Sequence, residues 1–334
     1  MVSAVIFVAT SCVSPLTGFA FWETNLAYEG ESIYNYLQVK NLSDRTILST
    51  NVLFGVQSVT MKDKGLTGMY YDTALAAPAL ADNANSALIL GMGTGTYARQ
   101  LKQYYPKMNI TGVEIDQKIT DLAGEYFDEP ADIPVTTYDG RAWPAASHDK
   151  YDVIMVDAYQ DITIPFQMSS AEFFTMVREH LNPGGVMVVN MNMISDGQGS
   201  INEALSDTIA SVFGNGNTLT ADVPNTTNRE LFAKKPGSGS EENSMQQASK
   251  ALNLRETTYE RTGSEDLEWY MEEVASRFRK VNEPDSASTI LTDDKAPVEV
   301  LGMHAIDQII ADEAGPYRQI LKDEGFGGLL RAVQ

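Results

Sequence analysis

The chain has 334 residues, 43% of them hydrophobic and 21% charged, with 45 acids against 24 bases for a formal net charge of −21. That length suits one large domain or two modest ones. The acidic balance argues against nucleic acid as a partner, because phosphate binding needs a basic surface, and it favours small cations. Cys12 is the only cysteine, which excludes an intrachain disulfide and a cysteine-based metal site, and His148, His180 and His304 are scattered without metal-ligand spacing; no metal is expected.

Residues 1–22 carry no charge, and their length approaches that of a spanning helix. Ser, Thr, Gly and Pro15 interrupt the run, so it reads as a marginal membrane helix or as a buried or disordered N-terminus. Residues 23–65 are β-rich: YNYLQVKN alternates and ends in the polar turn LSDR, and TILSTNVLFGVQSVTM is again rich in β-branched and aromatic residues. This predicts a small antiparallel sheet. Helical spacing follows over 66–82, with Tyr70, Leu75 and Leu80 among the apolar positions.

From residue 86 strands and helices alternate. SALILGMGTG is an apolar run ending in glycines, TYARQLKQYY is helical, NITGVEID is a strand, and QKITDLAGEYF is a helix. PVTTYDG, YDVIMVDAY and GVMVVNMN supply further strands, with the helix SSAEFFTMVREHLNPGG before the last. Such alternation predicts an α/β domain over 66–334, a mostly parallel sheet with helices on both faces. PGSGSEENS at 236–244 reads as a flexible loop, 266–280 as an amphipathic helix, and 305–332 as a largely helical tail.

The chemistry concentrates at strand ends. Gly91, Gly93 and Gly95 lie between a strand and a helix, where glycine lets a ligand approach the backbone and the helix start offers free N–H groups. Glu114 ends the next strand, the place from which an acid accepts ribose hydroxyl hydrogens. The G-x-G-x-G spacing with VEID, and Thr96 where a dinucleotide site would carry its third glycine, point to an S-adenosylmethionine-type fold. Asp139–Gly140 follows the third strand, the place for an acid reading an adenine amino group. Asp157 ends YDVIMV, outside the sheet's carboxyl edge, where a carboxylate can take a proton from an amine or hold an ammonium. Asp161 follows four residues on.

With these motifs in place the chain resembles the spermidine synthase family, especially the bacterial branch fused to membrane segments. The likeness runs from ESIYNYLQV through RTILSTNVLFGVQSV, TGMYYDTALAAPAL, LILGMGTG, VEID, YDG and YDVIMVDAYQDITIP to LTDDKAPVEVL, about residues 30–302. The resemblance implies a Rossmann-like fold with an N-terminal β domain, and aminopropyl transfer from decarboxylated S-adenosylmethionine to a small amine such as putrescine. It implies that Gln57 contacts the donor, Tyr71 lines the site, Glu114 holds the ribose, Asp139 faces the adenine, and Asp157 deprotonates the amine. Family members pair as dimers or tetramers, so a homodimer is expected. The donor is made in the cytosol, so the catalytic domain is expected to face it, with residues 1–22 as a membrane contact on the inner face.

Departures from the family pattern are Thr94 for the aspartate of G-G-G-D-G, Tyr34–Asn35 for the early Y-Q pair, Asp72 after the tyrosine, and DAYQD for D-S-x-D-P. The missing carboxylate at 94 leads to the expectation that Asp72, with Asp161, holds cationic ends of the substrates. Tyr71 and Phe166 are expected to flank the aliphatic chain. Two rival readings share much of this sequence: a methyltransferase using intact S-adenosylmethionine, and a non-catalytic polyamine-binding protein.

Overall fold

The computed structural model describes residues 20, 23–51, 55–128, 130, 132–159, 164–192, 199–214, 216–237, 254–303 and 322. Residues 1–22 apart from Ala20, the 236–244 loop beyond Gly237, the 305–332 tail apart from Lys322, and Asp161 lie outside them. Among the described residues no helix is long and apolar enough to cross a membrane.

The β-rich start folds as expected. β1 (Leu26–Glu31), β2 (Tyr36–Asn41), β3 (Arg45–Thr50) and β4 (Ser58–Met61) form an antiparallel sheet in chain order. Val39 pairs with Leu48 across β2 and β3. Both are buried with Leu37 against Ile119, Leu122 and Phe127, residues in and just beyond helix α4 (Gln117–Tyr126), whose N-cap is Asp116. This apolar contact seats the small sheet over the glycine end of the large one.

The large sheet contains β5 (Ser86–Leu90), β6 (Asn109–Glu114), β7 (Val135–Thr137), β8 (Tyr151–Val156), β9 (Leu181–Asn192), β10 (Thr218–Asp222), β11 (Asn228–Lys234) and β12 (Arg279–Lys280). Their spatial order is β12-β10-β11-β9-β8-β5-β6-β7. Strands β5 to β9 run parallel, whereas β10, β11 and β12 pair antiparallel. The antiparallel edge was not read from the sequence, and the helix expected over 266–280 ends at Arg277 so that Arg279–Lys280 can pair with β10.

Period-two alternation sorts the side chains into two layers. Val153, Met155, Val188 and Phe232 face one way, packing with Tyr71, Leu75, Leu101 and Met271. These come from α1 (Tyr70–Ala74), the loop after it, α3 (Thr96–Tyr104) and α9 (Glu265–Arg277). Ile154, Val156, Val189 and Leu231 face the other way, against Phe173, Phe174 and Val177 of α6 (Ala171–His180) and Ile201 and Leu205 of α7 (Ile201–Phe213). Helix α6 starts where Ser170 accepts from the Phe173 N–H, and α7 where Ser200 accepts from the Glu203 N–H.

The helical spacing over 66–82 resolves into α1 and α2 (Ala76–Leu80). Helix begins only at Tyr70, because Gly68 has φ +73° and Thr67 and Gly68 turn around Asp72. The chain runs β5-β6-β7 toward one edge and then returns to β8 and β9 on the other side of β5. The crevice at such a reversal, outside the carboxyl ends of the strands, is where open α/β sheets bind ligands.

Candidate active site

That crevice is a cavity of about 340 Å3. The glycine turn forms its floor. Gly91 has φ +88°, and a Cβ there would lie 2.4 Å from the Asp157 carbonyl oxygen, so only glycine lets β5 exit beside β8. Gly93 has φ +56°, and its Cβ would lie 2.7 Å from Ser58 Oγ of the small sheet. Gly95 is the N-cap of α3. Gly91, Gly93 and Gly140 line the cavity, and Gly95 does not.

Glu114, at the end of β6, faces the cavity while only 7% exposed. Its Oε2 accepts from the Gly93 N–H at 2.8 Å and its Oε1 from the Asp116 N–H at 3.0 Å, which locks the glycine turn to β6. Burial pushes its carboxyl above the usual range, against the pull of those backbone donors. Asp116 in turn accepts from Ser32 Oγ and Asn35 Nδ2, tying the β1–β2 turn to the same corner. Asp139 also lines the cavity, with Oδ1 accepting from the Arg141 and Ala142 N–H groups at 2.7 and 3.0 Å.

Asp157 stands just past the end of β8 and lines the same cavity as Glu114. Oδ1 accepts from Asn190 Nδ2 at 2.9 Å, and Oδ2 from the Tyr70 hydroxyl at 2.7 Å. Burial pushes its carboxyl up to about 7 against the opposing effect of these donors, and the Glu114 charge adds to the rise. Such a carboxyl suits proton transfer near neutral pH. Tyr70 and Tyr71 both line the cavity, with ring centroids 4.0 Å apart, and the Tyr71 hydroxyl donates to the Gln57 carbonyl at 2.7 Å. Gln57 lines the wall as well.

The structure thus brings Gln57, Tyr71, Gly91, Gly93, Glu114, Asp139, Gly140 and Asp157 together. Asp72 is different, and corrects the expectation that it faces an amine. It is 1% exposed, accepts from the Thr67 N–H and Oγ1 and the Gly68 N–H, and does not line the cavity. A carboxylate beside a turn with free N–H donors satisfies them first. Thr94 is also buried away from the cavity, and its Oγ1 has no partner among the described residues. Phe166 is half exposed in the 3-10 turn Phe166–Met168 and does not line the cavity.

Tyr70 and Asn190 were missed by sequence reasoning. Asn190 carried a signal: it is the polar break in the apolar run GVMVVN. Glu230 was missed too. It pairs with Asn190 across β9 and β11, is fully buried, and has no hydrogen-bond partner on either carboxyl oxygen among the described residues.

A Rossmann-like sheet, a glycine turn clasped by a strand-end glutamate, and a buried carboxylate in the same cavity are the features of an α/β transferase. The spermine/spermidine synthase domain matches residues 69–235, and the chain belongs to that family. Over all 334 residues it is 99% identical to a probable polyamine aminopropyl transferase of Bifidobacterium longum (strain NCC 2705), covering 75% of that protein. A polyamine aminopropyltransferase of Vibrio vulnificus (strain CMCP6) is 28% identical over 209 residues, 60% of this chain and 69% of that one. A probable spermidine synthase structure from Corynebacterium glutamicum ATCC 13032 superposes with a TM-score of 0.56 at 21% identity, over 79% of this chain and 98% of the other, and shares the fold.

Proposed function

We propose that the chain transfers an aminopropyl group from decarboxylated S-adenosylmethionine to a small cationic amine such as putrescine, releasing methylthioadenosine. The observation that carries this reading is that Glu114 and Asp157 face one cavity at the sheet's reversal point. The lining supports cationic ligands: among the described residues its charged members are Glu114, Asp139 and Asp157, and no lysine or arginine joins them.

In this reading Glu114 accepts from the ribose hydroxyls through the lone pairs left after its two backbone bonds, and Asp139 accepts from the adenine amino group. Gln57 and Tyr71 wall in the donor's alkyl end beside Gly91, Gly93 and Gly140, and Asp161 holds the far ammonium of the acceptor. Ionised Asp157 takes a proton from the attacking ammonium, and the freed nitrogen lone pair attacks the methylene bonded to sulfur. The C–S bond breaks with its electron pair moving to the sulfonium, which leaves as a neutral thioether. The protein's part is positioning and proton removal.

The test is to incubate the protein with decarboxylated S-adenosylmethionine and putrescine, cadaverine, agmatine or spermidine, and to follow the nucleoside product by mass. Methylthioadenosine is expected. Its absence with every amine overturns the reading, and S-adenosylhomocysteine formed from the intact donor would establish methyl transfer instead.

A further inference from the structure

Tyr70 touches Asp157, yet it stands outside the motif that singled out Tyr71. Its hydroxyl oxygen lies 2.7 Å from Asp157 Oδ2 and 2.7 Å from the Tyr71 hydroxyl, which lies 2.7 Å from the Gln57 carbonyl oxygen. Three short O···O contacts therefore run in series from the carboxyl to a backbone carbonyl. Each such contact needs one proton on its line. The tyrosines bring one proton each and the carbonyl brings none.

With Asp157 ionised, two protons serve three contacts, and one pair of oxygens meets lone pair to lone pair. With Asp157 protonated, the series is complete: Asp157 donates to Tyr70, Tyr70 to Tyr71, and Tyr71 to the Gln57 carbonyl. Asn190 holds the other carboxyl oxygen in either state. The Ser58 and Thr96 hydroxyls also act on Tyr71, but Thr96 Oγ1 gives its proton to the Val59 carbonyl, and a proton from Ser58 would lie between Ser58 and Tyr71 and serve none of the three contacts.

We propose that Tyr70 is a positioning residue for proton transfer: with Tyr71 it forms a hydrogen-bond series that closes only when Asp157 has accepted a proton. The proposal rests on the reaction given above and adds to it that the Tyr70 hydroxyl by itself favours the ionised carboxylate, whereas the proton-deficient contact to Tyr71 opposes it and so raises the carboxylate's affinity for the proton. In the step, the ammonium N–H bond breaks and its electron pair stays on nitrogen as the nucleophile. The proton forms an O–H bond at Asp157 that turns onto the Tyr70 line, and the ammonium and carboxylate charges cancel together. The series ends at a carbonyl, which cannot pass a proton on, so the proton stays at Asp157 until the products leave and water takes it. The ionisable groups facing Asp157 are Tyr70 and Tyr71 from α1, Glu114 from β6, Glu230 from β11 and Tyr159 from the loop after β8. Of these, only the two tyrosines change in the variants below.

The test is the pH titration of the Asp157 carboxyl by carbon NMR in the substrate-free full chain, assigned with Asp157→Asn. Tyr71→Phe removes the contact that lacks a proton and leaves Tyr70 free to serve the carboxylate, so the midpoint should fall by about one pH unit. Tyr70→Phe takes a hydroxyl donor from the carboxylate, so the midpoint should rise by about one pH unit. Midpoints that move in the same direction, or that do not move, overturn the proposal. A second readout needs only the wild type: the low-field O–H resonances of the series should number three below the midpoint and two above it, and an unchanged number also overturns it. Neither readout requires substrate, so a failure to release methylthioadenosine would remove the reaction and leave this test standing.

Discussion

Replacing Asp157 by asparagine should stabilise the protein at alkaline pH while abolishing its activity. The carboxyl's titration rises from 3.8 in the unfolded chain to about 7 in the fold, chiefly through burial. At about 1.4 kcal/mol for each pH unit, the buried carboxylate weakens the fold by about 4 kcal/mol above pH 7, less whatever water in the cavity restores. The sign follows from proton binding. Between pH 4 and 7 the folded state holds this proton more tightly than the unfolded state, so Asp157's contribution to stability is fully present below pH 4 and is lost as pH rises through 7. Asparagine cannot ionise, and its amide N–H can donate to Tyr70 as the protonated acid would. The gap between Asp157→Asn and wild type, measured by urea unfolding at matched pH, should therefore grow from under ~1 kcal/mol at pH 4 to about 4 kcal/mol at pH 8.5. A variant equally or less stable than wild type at pH 8.5 would refute the assignment of Asp157 as a buried, unpaired carboxylate.

Turnover in the wild type should rise with pH and level off once Asp157 is ionised, with a midpoint near 7 in kcat/KM for the acceptor; a flat profile from pH 5 to 9 would remove Asp157 as the base. Gly91→Ala places a methyl 2.4 Å from the Asp157 carbonyl oxygen at φ +88°, so it should cost about 3 kcal/mol of stability or more, read by urea unfolding, together with donor binding. Glu114→Gln can keep only one of the two backbone bonds that clasp the glycine turn, and should weaken donor binding by about 10–100-fold in calorimetry. Glu230→Gln should lie within about 1 kcal/mol of wild type at pH 5 and gain on it as pH rises, because burial holds that carboxyl well above its usual range.

The glycine side of the cavity was legible because it depends on short stretches of chain. A glycine turn after an apolar strand, and an acid at the end of the next strand, place Gly91, Gly93 and Glu114 together whatever the rest of the fold does. Asp157 was legible for the same reason, as the acid closing a fully apolar strand. Asp72 misled because its fate depends on which donors lie nearest. The Thr67 and Gly68 N–H groups capture it locally, and a motif lifted from a family cannot show that. Tyr70 and Asn190 were hidden because their meeting with Asp157 depends on strand register. Asn190 sits one strand over, on the face that α1 covers, and no spacing along the chain reveals which residues share that face. The antiparallel strands β10, β11 and β12 were unread for a related reason: the large sheet extends past its parallel half by pairing residues some sixty positions apart, Leu219 with Lys280.

The account turns on two carboxylates with separate duties in one cavity, Glu114 holding the donor and Asp157 moving the proton. A single-turnover measurement with decarboxylated S-adenosylmethionine and putrescine at pH 8, on wild type and Asp157→Asn, paired with donor binding by calorimetry, addresses it directly. The account predicts a fall of about 100-fold or more in methylthioadenosine release with donor affinity kept within about threefold. Release at the wild-type rate, or a loss of donor binding as large as the loss of rate, would contradict it.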